Sequence, residues 1–194
     1  MARKPRFRIG NDGWITPAHH VPSPNFNTRP ADTHISLLVI HSISLPPGQF
    51  GGPWIDALFT NTLDPAAHPY FQTIADIKVS SHLLIRRDGS VVQYVPFTER
   101  AWHAGASQFQ SVTECNDYSI GIELEGLEGD AFEAAQYDSL SALCAALLER
   151  LPIDHIAGHE HIALGRKRDP GPGFDWTQLQ SSLGLPPHHF PAKT

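Results

Sequence analysis

The sequence predicts an α/β fold, a single domain in which a central mixed β-sheet is flanked by helices. Short runs rich in leucine and β-branched residues, such as residues 35–41, have the length and composition of buried strands. Residues 132–151 place apolar side chains at helical spacing, which predicts one long helix against the sheet. Strands and helices are interleaved, with no internal repeat and no linker that would divide the chain.

Length and composition limit the classes of function. A chain of 194 residues has the length of one domain, and its net charge of −6 argues against general nucleic-acid binding. No stretch approaches the roughly 18 apolar residues of a transmembrane helix, so we expect no membrane association. The basic N-terminus lacks the apolar run of a signal peptide. Cys115 and Cys144 are too few for a disulfide framework and fit a reducing compartment, so we expect a cytoplasmic protein.

The first third of the chain reads as an arm, a strand and a long flap. Closely spaced prolines in residues 1–34 predict an irregular, extended arm. Residues 35–41 predict a buried strand that carries His41 at its end. Residues 42–71 contain a short helical patch, WIDALF, and many aromatic side chains. Because loops of this length are uncommon unless they serve a function, we interpret it as a flap over a cleft, with a packed surface loop as the alternative.

A hairpin and a small-residue segment follow. Residues 81–87 and 90–96 flank an Asp-Gly pair, which predicts two strands joined by a tight turn. Residues 101–109, AWHAGASQF, set Trp102 and His103 beside small residues, where a ligand can approach the backbone closely. An aromatic side chain there suits stacking on a sugar ring or a peptide, although a buried structural tryptophan is at least as common.

Residues 118–126, YSIGIELEG, alternate strictly and predict a strand. Its isoleucines and leucine face one way, whereas Gly121, Glu123 and Glu125 face the other. A carboxylate in a strand usually faces solvent. Gly121 beside Glu123, however, leaves room for another group to lie over the sheet.

The last third predicts the main helix, a short strand and a closing helix. Pro152 ends the helix of residues 132–151, and Cys144 lies on its apolar face, so we assign this thiol to the core. Residues 153–157 predict a strand. Asp175 and Gly184 predict the start and the end of a helix with the sequence WTQLQSSL, and the tail after it is expected to be loose.

Residues 157–173, AGHEHIALGRKRDPGPG, concentrate the chemistry of the chain. His159 and Asp169 are ligand types that zinc accepts, and Lys167 offers a positive charge beside them. His41, His159 and Asp169 match the three protein ligands of a catalytic zinc site, in which the fourth position is left for water. A polar surface loop is the alternative, and other histidines compete as ligands: His34, His68, His82, His103, His155 and His161.

Five blocks of sequence carry a resemblance to a known family. In order they are LLVIHSISLPPGQFGGPWIDALF, SSHLLIRRDGSVVQYVPF, RAWHAGASQF, CNDYSIGIELEG and GHEHIALGRKRDPGPGFDW. Together they closely resemble the zinc-dependent N-acetylmuramoyl-L-alanine amidases, the family that also includes the peptidoglycan recognition proteins. The resemblance covers about residues 20–183 and implies one zinc amidase domain over residues 1–194, with an irregular N-terminal arm and C-terminal tail.

The resemblance also implies residue roles. It makes His41, His159 and Asp169 the ligands of one Zn²⁺ per chain, and Glu123 and Lys167 the catalytic residues. Four further residues are expected to contact substrate: Ser42, Lys78, Trp102 and His103. Ser42 stands where the family commonly has asparagine, and Glu160 and His161 replace a Cys-Asp pair.

The implied activity is hydrolysis of the amide bond between (1,6-anhydro-)N-acetylmuramic acid and L-alanine. The substrate would be a small muropeptide released during peptidoglycan recycling in the cytoplasm, and the enzyme would act as a monomer. Two alternatives stay open at this stage. One is a non-catalytic module that binds muropeptides, and the other is a zinc peptidase that cleaves within the stem peptide.

Overall fold

The structure, a computed structural model, describes residues 6–191 and builds its main sheet from six strands. In chain order the strands within these residues are β1 Arg8–Ile9, β2 Ile15–Thr16, β3 His19–His20, β4 Phe26–Thr28, β5 Leu37–Ile43, β6 Leu83–Ile85, β7 Val91–Gln93, β8 Glu99–Ala101, β9 Gln108–Phe109, β10 Val112–Thr113, β11 Ser119–Glu125 and β12 His155–Gly158. The main sheet has the order β12-β5-β11-β6-β7-β3. Its first four strands are parallel, β7 runs antiparallel to β6, and β3 is parallel to β7. The predicted mixed sheet is confirmed.

Capping interactions mark the starts of the two longest helices within the described residues. The helices are α1 Trp54–Phe59, α2 Pro69–Gln72, α3 Cys115–Tyr118, α4 Ala134–Arg150, α5 His159–Ile162, α6 Trp176–Leu183 and a 3-10 turn at Pro187–His189. The Glu133 and Gln136 side chains cap the start of α4 reciprocally. At α6, the Asp175 carboxylate accepts from the Gln178 amide, and Gly184 ends the helix at a φ of 64°. The bounds and caps predicted for α6 are confirmed.

The two faces of the sheet bury different elements. Helices α4 and α6 pack on one face, where Leu38, Ile40, Ile120, Ile122 and Leu124 join a single apolar cluster. Helix α1 and the aromatic side chains of the flap pack on the other face, against Leu84 and Val92. Because side chains alternate along a strand, the odd-numbered residues of β5 and β11 face away from α4. Cys144 is fully buried on the apolar face of α4, as predicted.

The N-terminal arm is more regular than predicted. Residues 6–34 contribute four short strands, of which β3 joins the main sheet and β4 pairs with β8. These pairs are two or three residues long, too short to leave a periodic pattern in a proline-rich segment. Buried side chains hold the arm instead. Gln93 bonds the Ile15 amide and the Gly13 carbonyl, and the Arg29 guanidinium donates to the carbonyls of Asn116, Asp117 and Ser119.

The other predicted elements are confirmed with shifted bounds. The predicted hairpin is present as β6 and β7, with Gly89 in the turn at a φ of 80°. The first long strand starts and ends two residues later than predicted, so His41 lies within β5. The tail forms a 3-10 turn up to residue 189, and residues 192–194 lie outside the described part. Among the described helices, none combines the length and the apolar character needed to cross a membrane.

Candidate metal and catalytic site

Strand pairing sets His41 beside Glu123. The two residues are register partners on the parallel strands β5 and β11, so their side chains lie next to each other on the same face. The Nδ1 of His41 is 4.0 Å from Oε1 of Glu123. The apolar residues around them leave no alternative register, since a slip of one residue would turn both side chains into the α4 core.

The loop after β12 brings His159 and Asp169 to the same point. Gly158 ends β12 as the register partner of Ile40, and His159 follows at once as the first residue of α5. The chain then returns, and the Glu160 amide donates to the Asp169 carbonyl over 2.9 Å. The carboxyl ends of three neighbouring parallel strands therefore converge, which is where α/β sheets place their ligands.

Three donor atoms from these residues form a small triangle. The Nδ1 atoms of His41 and His159 are 3.0 Å apart, and Oδ2 of Asp169 lies 3.2 Å from the first and 3.1 Å from the second. In a tetrahedral site with bonds of about 2.0–2.1 Å, ligand atoms are about 3.3 Å apart. The triangle therefore fits one metal ion, and the three residues form the cluster in the described chain that can hold one.

Electrostatics keep His41 and Asp169 in the protonation states that a bound cation requires. Burial, with a contribution from His159, lowers the pKa of His41 to about 4, so its ring is neutral near pH 7. Burial opposes the ionisation of Asp169, but the close side chains of His159 and His41 outweigh it and hold the pKa of this carboxyl well below its usual range. Neutral imidazoles and a carboxylate are the protonation states of metal ligands.

Glu123 and Glu125 lie on the same face of the strand, but their carboxylates differ in hydrogen bonding. Glu125 accepts hydrogen bonds from the Gly51 amide at 2.7 Å and the Arg87 amide at 3.2 Å, and so ties the flap to the sheet. Glu123 is 8% exposed, and its Oε2 is buried without a partner. A buried carboxylate oxygen without a partner is costly, and such atoms in native proteins commonly mark a functional group.

The same burial tunes Glu123 for proton transfer. Burial raises the pKa of its carboxyl well above 4.5, the negative charge of Asp169 adds to the rise, and the positive charge of Lys167 opposes it. A carboxylate with a raised pKa is a stronger base than an exposed one.

A cavity of about 500 Å³ opens over this cluster. The flap and the residues that directly follow it supply an apolar wall, which contains Leu45, Leu58, Phe59, Tyr70, Ile74 and Ile77. The opposite rim is cationic, with Arg166, Lys167 and Arg168. Tyr70 and Ile77 are exposed hydrophobic side chains. The flap therefore borders a cleft, as the sequence predicts, and the apolar wall is a part of the site that sequence reasoning missed.

The four predicted substrate contacts have different positions. Ser42 lines the cavity, and its hydroxyl is buried without a partner. His103 also lines the cavity but is 9% exposed and lies within hydrogen-bond distance of His41. Lys78 and Trp102 are not among the residues that line it. Lys78 is exposed beside the cavity wall, and the indole N–H of Trp102 donates to Asn27 of the arm.

Comparison with known proteins gives a family. Residues 31–172 match the family described as N-acetylmuramoyl-L-alanine amidase. The chain is 56% identical to the 1,6-anhydro-N-acetylmuramyl-L-alanine amidase AmpD of Citrobacter freundii over 181 residues, which cover 92% of this chain and 96% of that protein.

Solved structures agree with this assignment. A crystal structure of an Se-Met AmpD derivative superposes with a TM-score of 0.87 at 57% identity and covers 89% of this chain and 98% of that one. The complex of the Escherichia coli amidase AmiD with anhydro-N-acetylmuramic acid-L-Ala-D-gamma-Glu-L-Lys superposes with a TM-score of 0.58 at 28% identity and covers 91% of this chain and 65% of that one.

The contrast between the two glutamates predicts effects of different size on stability. Glu125→Ala leaves two amide donors near the flap without an acceptor and is expected to lower the free energy of unfolding by about 2–3 kcal/mol. Glu123→Ala removes a buried carboxylate oxygen that has no hydrogen-bond partner. It is expected to change the free energy of unfolding by less than about 1 kcal/mol. Urea unfolding of the metal-free proteins measures both, and equal losses would contradict the assignment.

Proposed function

The chain belongs to the N-acetylmuramoyl-L-alanine amidase family, and we propose that it hydrolyses the amide bond between 1,6-anhydro-N-acetylmuramic acid and L-alanine in muropeptides. The activity for which its relative AmpD is named, with 56% identity over most of both chains, supports this substrate. Such fragments arise when cell-wall peptidoglycan is recycled. The observation on which the hydrolase depends is the partnerless Glu123 carboxylate beside three converging donor atoms.

We propose that His41, His159 and Asp169 hold one zinc ion. Two imidazoles and one carboxylate are a ligand set of catalytic zinc sites, and their spacing fits a tetrahedral ion. When bound, zinc lowers the pKa of a water ligand to about 7 and polarises a carbonyl group as a Lewis acid.

The chain's own residues supply the proton transfer and the charge. Glu123 accepts a proton from the attacking water at its carboxylate and passes it to the amine of L-alanine as the C–N bond breaks. Lys167 contributes a positive charge at the rim, where the carbonyl oxygen gains negative charge. The apolar flap wall excludes water from the rest of the cavity and offers contacts for the sugar and the peptide.

The cellular setting follows the same proposal. Cys115 and Cys144 are buried free thiols, which suits the reducing cytoplasm where we propose that the enzyme acts. Every residue invoked belongs to one chain, so the proposal requires no second copy and expects an active monomer with one amidase domain.

The products of digestion test the proposed reaction. Incubation with a 1,6-anhydro-muropeptide and zinc is expected to yield the free anhydro-sugar and an intact peptide that begins with L-alanine, as mass spectrometry would record. Cleavage within the stem peptide would identify a peptidase, and binding without cleavage would identify a recognition module. Either result would overturn the proposal.

Two substitutions separate metal binding from proton transfer. Glu123→Gln is expected to retain one zinc per chain and to lose about 10²–10⁴-fold in kcat, because an amide cannot accept the proton. His159→Ala is expected to lose the metal itself, because two ligands remain. Zinc content after dialysis and turnover of the muropeptide measure the two effects. Full zinc occupancy in His159→Ala would refute the ligand set.

Removing the charge of Lys167 predicts a shift with pH. Glu123 acts in its ionised form, so activity is lost as pH falls through its raised pKa, which lies above 4.5. Lys167→Ala removes the charge that lowers this pKa, so the acid limb of kcat/KM is expected to move to higher pH. The loss of charge stabilisation is also expected to lower kcat by about 10²–10³-fold.

Lys167→Arg is the matched control, since it retains the positive charge and is expected to leave the acid limb in place. Zinc content at each pH distinguishes titration of Glu123 from release of the metal. An unchanged limb and unchanged turnover in Lys167→Ala would remove the lysine from the mechanism.

A further inference from the structure

The two ligand histidines also bond through the ring nitrogens that face away from the triangle. His41 Nε2 is 2.9 Å from Nδ1 of His103, and His159 Nε2 is 3.2 Å from the carbonyl oxygen of Ala104. The partners are consecutive residues of one short segment between β8 and β9. One short segment therefore holds both imidazoles from behind, through the His103 ring for His41 and through the Ala104 carbonyl for His159.

The direction of each bond follows from what the atoms can do. A carbonyl oxygen only accepts, so Nε2 of His159 carries the hydrogen, and in the neutral ring Nδ1 presents a lone pair to the triangle. The Ser119 hydroxyl donates to the Cys115 carbonyl over 2.6 Å, which leaves its oxygen free to accept from Nε2 of His103 at 3.1 Å.

His103 then has a bare Nδ1 that accepts from His41 Nε2–H. The chain of bonds from His41 to the Cys115 carbonyl therefore leaves the Nδ1 of His41 bare as well. Both ligand histidines carry the tautomer that a metal at the triangle requires.

Asn116 fixes this segment. Its Oδ1 accepts from the backbone amides of both His103 and Ala104, at 3.1 and 2.8 Å, and the side chain is 5% exposed. The Arg29 guanidinium donates to the carbonyl of Asn116 over 3.1 Å. One amide oxygen thus sets the position of both groups that orient the ligands.

Gly121 makes room for the His103 ring. A Cβ added at Gly121 would lie 2.5 Å from Cγ and 2.7 Å from Nδ1 of that ring. The glycine has no positive φ that would otherwise explain it. Because Gly121 has no side chain, the imidazole of His103 packs directly against β11.

We propose that His103 and the Ala104 carbonyl, held by Asn116 and seated on Gly121, are an outer clamp that fixes both ligand histidines with Nδ1 toward the metal. The clamp rests on the proposed zinc ligands and adds positioning residues to them. Groups that orient ligands in this way typically affect metal affinity by about 10- to 100-fold when they are lost.

Zinc affinity, measured by chelator competition at fixed pH, tests the clamp without reference to turnover. His103→Ala is expected to bind zinc about 10- to 100-fold more weakly than the wild type. His155→Ala, a histidine substitution outside the clamp, is the matched control and is expected to bind like the wild type. Urea unfolding of the metal-free proteins verifies that each variant is folded before the comparison.

Asn116 offers rescue by a conservative variant. Asn116→Leu is close in size but has no acceptor for the two amides, and it is expected to weaken zinc binding as His103→Ala does. Asn116→Asp keeps an acceptor oxygen at the same position and is expected to restore affinity close to that of the wild type. Equal loss in both variants would overturn the role of the Asn116 oxygen.

A double-mutant cycle separates displacement of the ring from general damage to the strand. Gly121→Ala is expected to weaken zinc binding in the wild type but to have little effect in the His103→Ala background, where the ring is absent. Additive losses of zinc affinity would contradict the proposed contact between Gly121 and the His103 ring. Wild-type zinc affinity in His103→Ala would contradict the clamp. If the wild type itself binds no zinc, both the proposed ligand set and the clamp are refuted.

Discussion

The parallel pairing of β5 with β11 is the constraint on which the site depends. It aligns His41 with Glu123 and directs both side chains to the face opposite α4. The pairing of β12 with β5 adds the start of α5, and with it His159, at the same edge. Apolar side chains on the α4 face hold the register, because a shift by one residue would bury two ionisable groups among them. The hydrophobic core thus sets the geometry of the polar site.

Local chemistry made part of this structure predictable from sequence. The alternation around Glu123, the Asp-Gly turn and the caps at Asp175 and Gly184 each encode their own conformation. The resemblance to a family indicated which histidines to group, because spacing alone left six others as candidates. Contacts between distant segments left no such pattern. The two amides on Asn116 and the apolar flap wall depend on how separate loops fold against each other.

Charge balance explains why so much polar chemistry is buried here. Burial lowers the pKa of His41, His82 and His103 and so keeps these three rings neutral. Glu123 and Asp169 are the acids beside them, and the negative charge of Asp169 adds to the rise that burial causes in the pKa of Glu123. A divalent cation among two carboxylates and neutral rings brings the local charge close to zero. The proposed zinc ion would then also relieve the electrostatic cost of the folded site.

Segments from the N-terminal arm and the C-terminal tail protect the two edges of the main sheet. At one margin β3 is only two residues long and is flanked by Pro17 and Pro22. At the other, the 3-10 turn lies against β12, and His189 bonds the Asp154 carbonyl. An edge strand that is short and flanked by prolines, or that is covered by another segment, exposes few unpaired backbone groups. A second molecule therefore cannot readily pair with it and extend the sheet. Removal of β3 or of the 3-10 turn would expose unpaired backbone groups at an edge of the main sheet and would therefore favour self-association.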